Sequence, residues 1–195
     1  MARMIEGRWE GEWKPTDGDG KGAFVRKESV FRDRLPPGQR KVDGWPVLDL
    51  GLQPEVSTEE MRLEIDGLVE NPVTLDWAAL GELPAFSQTV DIHCVTAWSR
   101  YDNRFDGVAV ADLVRLVRPK DEAKFVLFEA HDGYTTNLSR EIFEDETAML
   151  ATRWEGEPLS RDHGGPVRVV VPKKYFWKSA KWVKRITYSA EDKPG

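Results

Sequence analysis

Cys94 is the only cysteine in this 195-residue chain. It cannot form an internal disulfide, so a special role must rest on the free thiolate, which acts as a nucleophile or as a ligand for a soft metal. The residue lies in an apolar, β-like run over residues 89–98. In a strand, Cys94 shares one face with Thr96 and Trp98, so we do not expect His93 to contact the sulfur. A buried structural cysteine is the alternative, since free cysteines commonly pack in cores.

Two further roles for the thiol depend on histidine. A zinc site needs three or four Cys, His or carboxylate ligands. The three histidines, His93, His131 and His163, do not show the usual short ligand spacings with the one cysteine. A nucleophilic pair would use His131 or His163 as the base. The sequence places neither histidine beside Cys94, so this possibility stays open.

Two segments near the C-terminus have the composition of an anion site. In residues 163–168, two glycines lie between His163 and Arg168, and glycine lets backbone N–H groups approach an anion closely. A tight turn before a strand is the simpler alternative. Residues 172–182 hold four lysines interleaved with aromatic residues, which suits either a solvated basic face or an anion pocket with an aromatic wall. A thiolate with an anion site would serve a cofactor that has a phosphate tail and a metal head.

Composition excludes several classes of protein. The net charge of −6 argues against nonspecific nucleic-acid binding. No run approaches the roughly 18 apolar residues of a membrane helix, so no membrane span is expected. The first eight residues lack the apolar core of a signal peptide. We therefore expect a cytoplasmic protein, or a periplasmic one if an export signal has been removed.

Many short strands with a few short helices predict an α+β fold weighted toward β. Residues 1–22 are polar and glycine-rich and read as an N-terminal arm or tail, which leaves one domain over residues 23–195. The periodicity predicts strands over 61–69, 86–98, 124–130, 148–152, 167–171 and 182–188. It predicts helices over 74–81, 110–117 and 139–144, and a polar loop over 99–104. No Gly-rich turn follows the early strands, which argues against a doubly wound nucleotide fold.

One long segment resembles a known family. Glu-Pro-Leu-Ser-Arg-Asp-His-Gly-Gly-Pro-Val-Arg-Val-Val-Val-Pro at 157–172, followed by Lys-Ser-Ala-Lys-Trp at 178–182, is similar to the molybdopterin-binding domain of the sulfite oxidase family. The Cys94 strand, residues 32–36 and residues 128–132 resemble further segments of that domain. The resemblance spans about residues 30–189 and implies a β-rich mixed fold of sulfite-oxidase type. The layout is nearest to the bacterial single-domain members.

The resemblance also implies roles for individual residues. Cys94 would bind molybdenum, whose remaining ligands in the family are the pterin dithiolene and oxygen atoms. Arg100 or Arg32 would recognise the charge of the substrate. The residues that would hold the pterin and its phosphate are Arg32, Arg34, Asp132, His163, Arg168, Ser179 and Lys181.

The activity implied is that of a molybdenum-molybdopterin oxidoreductase. It would transfer an oxygen atom to or from a small oxyanion or sulfur oxide and exchange electrons with a separate haem or flavin protein. Thr152 stands where animal sulfite oxidases have a tyrosine at the substrate, which argues against sulfite itself. Two other classes remain open, namely a cysteine-dependent enzyme that pairs Cys94 with a histidine, and a non-catalytic carrier of the pterin.

Overall fold

The computed structural model describes residues 34–194, together with the backbone of two short strands near the N-terminus. These strands, β1 (Met4–Ile5) and β2 (Arg8–Trp9), pair antiparallel. The remainder of the predicted arm over residues 1–22, and Arg32, lie outside the described residues.

Short strands dominate the described chain, with three short α-helices between them. The strands are β3 (Arg40–Lys41), β4 (Arg62–Gly67), β5 (Val73–Asp76), β6 (Ala85–Cys94), β7 (Trp98–Ala109), β8 (Phe125–Ala130), β9 (Thr135–Ser139), β10 (Met149–Trp154), β11 (Glu157–Pro158), β12 (Arg168–Val170) and β13 (Val183–Ser189). The helices are α1 (Trp77–Gly81), α2 (Val110–Val117) and α3 (Arg140–Phe143), and 3-10 turns cover Arg161–His163 and Phe176–Lys178. The predicted α+β, β-rich class is confirmed. Across the described residues, no helix is both long enough and apolar enough to pass through a membrane.

The strands form two mixed sheets. The first has the order β11-β10-β7-β3, with β12 also on β10 and β6 also on β7, and the second has the order β5-β4-β13-β8-β9. Strand β3 runs parallel to β7, and β4 runs parallel to β13, whereas the other pairs are antiparallel. The main core contains Leu63, Phe128 and Ile186 from the second sheet and Leu150 and Val169 from the first. A smaller cluster on the first sheet contains Cys94, so the thiol lies at the edge of a packed apolar region.

The hairpin of β6 and β7 places the cysteine. Cys94 is the last residue of β6 and pairs with Trp98, the first residue of β7. The prediction of a polar loop over residues 99–104 is wrong, because this stretch belongs to β7. Its exposed positions, such as Asp102 and Arg104, alternate with the buried Asn103 and Phe105. One face of this part of β7 is therefore exposed to water. Because most of its residues are polar on both faces, the alternation of buried and exposed positions that is typical of a strand was not recognised in the sequence.

The helix predictions were confirmed in one place and corrected in another. Helix α2 has the predicted bounds, and its buried residues Val110, Leu113 and Val117 form the stripe that packs on the core. The helix predicted over 74–81 begins later, at Trp77. Its N-cap is Asp76, whose carboxylate accepts a hydrogen bond from the N–H of Ala79 at 2.9 Å. The preceding residues belong to β5 because their backbone pairs antiparallel with β4.

Candidate functional site

A cleft of about 220 Å³ opens beside Cys94. Its walls come from distant parts of the chain: residues 45–50, the β6–β7 hairpin, the turn between β8 and β9, the first 3-10 turn, β12 and residues 176–181. Six of the residues singled out from the sequence line it, namely Cys94, Asp132, His163, Arg168, Ser179 and Lys181. The fold therefore brings together side chains that are up to 87 residues apart in sequence, the separation of Cys94 and Lys181 (181 − 94).

Cys94 is held by contacts on both its side chain and its backbone. The residue is 4% exposed, and its Sγ accepts a hydrogen bond from the Thr96 hydroxyl at 3.2 Å. Its carbonyl accepts hydrogen bonds from the N–H of Ala97 at 3.0 Å and from Nε2 of Gln39 at 2.9 Å. In the part of the chain that the structure describes, no histidine hydrogen-bonds to the sulfur; His93 turns away, as predicted, and lies 2.8 Å from the Ser99 hydroxyl.

Arg168 is a buried cation. It is 3% exposed, and its guanidinium donates to the carbonyls of His163 at 2.7 Å and Ser179 at 2.9 Å. The guanidinium carbon lies 4.4 Å from the ring centre of Phe176 and 5.2 Å from that of Trp45. Within residues 34–194 it forms no salt bridge with a carboxylate. Burial lowers the pKa of this group, but arginine keeps its charge at neutral pH. A buried charge without a counter-ion is costly, so an anion in the cleft would be strongly favoured.

Lys181 adds a second, half-buried cation. Its Nζ donates to the carbonyl of Asp162 at 2.9 Å. Burial, and then the nearby charge of Arg168, lower the pKa of Lys181 to about 8. At neutral pH the two cations therefore repel each other across a poorly solvated space, which an anionic ligand would relieve.

The two glycines of residues 163–168 act through packing. The N–H of Gly164 donates to the carbonyl of Arg161, and the N–H of Gly165 donates to that of Ser160, each at 3.0 Å. Both N–H groups are used within the turn, which supports the tight turn, the simpler of the two alternatives. Gly164 has φ +100°, and a Cβ there would lie 2.8 Å from Cβ of Lys181. Glycine is needed because it lets the Lys181 stem pass close to the turn.

His163 presents a neutral ring to the cleft. Its imidazole stacks on Trp45 with ring centres 3.9 Å apart and an angle of 8° between the planes. Burial lowers the pKa of His163 to about 4. At neutral pH the ring is uncharged, so it can accept one hydrogen bond and donate another but adds no charge.

Two predicted arginines lie away from the cleft. Arg34 forms salt bridges with Asp91 and Asp102 and stacks 4.5 Å from the ring centre of Tyr101. Arg100 donates to the Asp43 carbonyl, lies 3.5 Å from a carboxylate oxygen of Glu155, and packs on the ring of Trp154. Neither arginine lines the cleft, so their assigned roles in cofactor and substrate binding remain predictions. Arg32 lies outside the described residues.

Two residues that shape the site were missed in the sequence. Trp45 and Gln39 lie in the irregular, proline-punctuated stretch before β4, which has no periodic pattern. Trp45 stacks on His163, and Gln39 contacts both the Cys94 carbonyl and the Ser99 hydroxyl. The composition of that stretch indicated only a segment that wraps a surface or lines a site.

The charge of Lys181 leads to a prediction for the cofactor-free protein. We expect it to bind sulfate more weakly as pH rises from 7 to 9, because Lys181 loses its proton around pH 8. Sulfate suits this test since its own charge is constant over that range. Lys181→Met should weaken sulfate binding about tenfold at pH 7 and abolish most of the pH dependence. Isothermal titration calorimetry measures both effects.

The matched control is Lys174→Met, which removes an exposed lysine that does not line the cleft. Its sulfate affinity should follow that of the unaltered protein at each pH. Equal affinities of the unaltered protein at pH 7 and pH 9 would contradict the assignment of this cation to anion binding.

The geometry defines a class of protein: a β-rich domain with a single cysteine and two desolvated cations in one aromatic-walled cleft. The family model for the oxidoreductase molybdopterin-binding domain matches residues 50–195. The chain belongs to this family. It is an oxidoreductase of sulfite-oxidase type, and its cofactor is molybdenum-molybdopterin, as the resemblance of residues 157–182 implied.

Relatives of this chain differ widely in size. An uncharacterized oxidoreductase of Bacillus subtilis, YuiH, is 41% identical over 170 residues, which cover 87% of this chain and 86% of that one. The NADPH nitrate reductase of Fusarium oxysporum is 29% identical over 68% of this chain but only 18% of its own length. The catalytic subunit MsrP of a protein-methionine-sulfoxide reductase from Campylobacter jejuni is 27% identical, over 73% of this chain and 53% of its own.

A solved structure supports the fold. The sulfane dehydrogenase SoxCD from Paracoccus pantotrophus superposes with a TM-score of 0.66 at 22% identity, covering 96% of this chain and 58% of the SoxCD chain. The predicted sulfite-oxidase-type fold is thereby confirmed. At this identity the likeness concerns the fold alone.

The residues of the cleft fit a molybdopterin. Among the described residues, no three His, Cys, Asp or Glu side chains cluster as metal ligands. A metal at Cys94 would therefore take its other ligands from a non-protein group, which a pterin dithiolene supplies. Arg168 and Lys181 match a phosphate, and the faces of Trp45 and Phe176 suit a planar heterocycle.

Proposed function

We propose that this protein transfers an oxygen atom to or from a small oxyanion or sulfur oxide, with Cys94 as the protein ligand of molybdenum. The observation that supports this most directly is that one buried sulfur and one buried guanidinium, which forms no salt bridge within residues 34–194, border the same cleft. When bound, the cofactor supplies the two-electron oxygen-atom transfer. The protein binds, orients and shields it.

The roles of the cleft residues follow from their contacts. Arg168 and Lys181 bind the phosphate of the cofactor, since they are the desolvated cations of the cleft. Ser179 accepts a hydrogen bond from the N–H of Val171 at 3.0 Å, which leaves its hydroxyl proton available to the pterin. Asp132 accepts from the N–H of Tyr134 at 3.0 Å and keeps acceptor capacity for pterin N–H groups. His163 contributes a neutral ring edge.

Thr96 and Gln39 hold the metal ligand in place. The Thr96 hydroxyl donates to Sγ, and a donor to a thiolate draws electron density from it. Gln39 fixes the carbonyl of Cys94 and is itself bonded to Ser99. The Cys94 side chain is therefore oriented before the cofactor arrives, which lowers the cost of binding.

The names of the relatives support the substrate class. Nitrate reductase and protein-methionine-sulfoxide reductase are named for an oxyanion and a sulfur oxide. The cationic cleft favours negative or strongly polar oxygen atoms. The MsrP relative is named a catalytic subunit, which supports electron exchange with a separate partner, and we propose a haem or flavin protein in that role.

The test combines analysis and turnover. Purified, loaded protein should contain about one molybdenum per chain and release a fluorescent pterin derivative on oxidation. It should also oxidise or reduce a redox dye in the presence of nitrate, sulfite, dimethyl sulfoxide or methionine sulfoxide. Absence of both metal and pterin would overturn the proposal. Activity that is lost on alkylation but needs no metal would favour the cysteine-dependent enzyme. In the described residues, the side chain that hydrogen-bonds to Sγ is Thr96 and not a histidine, so the structure gives this alternative no support.

A further inference from the structure

A chain of three side chains joins His93 to the backbone of Cys94. Nδ1 of His93 lies 2.8 Å from the Ser99 hydroxyl oxygen, and that oxygen lies 3.2 Å from Oε1 of Gln39. Nε2 of Gln39 in turn lies 2.9 Å from the carbonyl oxygen of Cys94. Ser99 is fully buried, whereas His93 and Gln39 are half-buried. The histidine that faces away from the sulfur is therefore connected to the same cysteine through its main chain.

Only one direction of donation is consistent with this chain. The Cys94 carbonyl is an acceptor only, so the amide of Gln39 must turn its N–H toward it and its oxygen toward Ser99. The Ser99 hydroxyl has a single proton, which it donates to that amide oxygen. Its own oxygen must then accept from His93, so Nδ1 of the imidazole carries a proton. Each link thus determines the next, and loss of the imidazole would leave the buried Ser99 oxygen without a donor.

The carbonyl of Cys94 matters because the residue lies at the end of a strand. Strand β6 ends at Cys94, and residues 95–97 form an exposed turn before β7. The N–H of Ala97 closes that turn on the Cys94 carbonyl, and Gln39 supplies a second contact from the segment just before β3. Gln39 therefore ties the turn to a neighbouring strand. A tilt of the peptide plane would rotate the Cys94 side chain relative to the cleft.

We infer that His93 is a positioning residue, which holds the Cys94 thiol in place through Ser99 and Gln39. This role rests on the proposed function and deepens it, since the thiol held in this way is the proposed metal ligand. His93 does not line the cleft, so it acts through the backbone and not by contact with a bound group. A metal ligand needs such support, because a small displacement of the ligand changes the properties of the metal.

The test measures alkylation of Cys94 in the cofactor-free protein. Because Cys94 is the only cysteine, the rate of reaction with iodoacetamide reports this thiol alone. His93→Leu and His93→Asn have nearly the same shape, but only the asparagine amide can donate to Ser99 as the imidazole does. His93→Leu should react about three- to tenfold faster than the unaltered protein, the factor for losing one hydrogen bond. His93→Asn should stay within about twofold of the unaltered protein.

Two comparisons separate the chain from a general loss of stability. Gln39→Met removes the last link, so adding His93→Leu to it should cause little further acceleration. Additive effects of the two substitutions would show that His93 does not act through Gln39. Ile186→Val shortens a buried side chain of the second sheet, which lowers the free energy of unfolding without touching the chain. Its Cys94 should react at the rate of the unaltered protein.

In loaded protein, the Mo(V) electron paramagnetic resonance spectrum gives a second measurement. The spectrum should shift in His93→Leu and return toward that of the unaltered protein in His93→Asn. The inference is overturned if the alkylation rate of His93→Leu does not rise, if His93→Leu and His93→Asn react equally fast, or if the spectrum of His93→Leu is unchanged.

If His93→Leu does not fold, Ser99→Ala breaks the same chain with a smaller change, and its alkylation rate and spectrum decide in the same way. A lack of molybdenum and pterin in the unaltered protein would instead overturn the proposed function. The alkylation rates would still show whether His93 holds the thiol, so the two failures can be told apart.

Discussion

Cys94→Ala is expected to lower dye-linked turnover by at least about a hundredfold, because it removes the proposed protein ligand of the metal. The fold should survive, since the thiol is a small group in the apolar cluster that also contains Ile92 and Phe105. The pterin should largely remain, because the phosphate contacts proposed for Arg168 and Lys181 do not depend on the sulfur. Turnover, molybdenum and pterin content, and thermal unfolding measure these three statements separately.

The matched control for this substitution is Thr96→Val. It removes the hydroxyl that donates to Sγ but leaves the sulfur in place. We expect a shifted midpoint potential of the molybdenum and a turnover that falls far less than in Cys94→Ala. Full turnover in Cys94→Ala would show that the sulfur is not a ligand, whatever the state of the control.

Arg168→Met is expected to lower cofactor retention by about ten- to hundredfold, the range for losing a hydrogen bond to a charged group. The long apolar side chain fills much of the volume of arginine but cannot pair with a phosphate. Three carbonyls, those of His163, Val169 and Ser179, lose a donor. Removal of an uncompensated buried charge offsets that loss, so the cofactor-free protein should still fold. Bound pterin after gel filtration and the thermal unfolding midpoint are the measurements.

Two variants sharpen this second experiment. Arg168→Lys keeps a positive charge but loses the planar fork, so its retention should lie between those of Arg168→Met and the unaltered protein. Arg153→Met removes an exposed arginine that donates to the carbonyl of Gly156, and it should retain cofactor normally. Normal retention of the cofactor in Arg168→Met would show that Arg168 does not bind the phosphate.

The sequence predicted features that rest on local pattern. The apolar stripe of α2 predicted both the first and the last residue of the helix. The spacing around Cys94 predicted that His93 faces away from the sulfur. Strand β7 was mistaken in part for a loop because one of its faces is charged and exposed. Helix α1 was begun too early because the pairing of β5 with β4 is a contact that no local window contains.

The candidate site was predictable where a residue type is unique, as for Cys94, and where residues carry a family motif. That motif placed His163, Arg168, Ser179 and Lys181 in the cleft. It could not show that the glycine N–H groups are used within the turn, because their partners depend on the backbone path. Trp45 was missed since its contact with His163 joins residues 118 positions apart (163 − 45).

The segment before β4 has a practical consequence for anyone who shortens the chain. The family match begins at residue 50, yet Gln39 and Trp45 lie upstream of it and touch Cys94 and His163. A recombinant fragment cut at the family boundary would keep the second sheet and most of the first, but it would lose β3, the Gln39 hydrogen bond to the Cys94 carbonyl and the Trp45 ring of the cleft wall. The smallest unit that can be expected to carry a cofactor therefore starts before the smallest unit that the family alignment recognises.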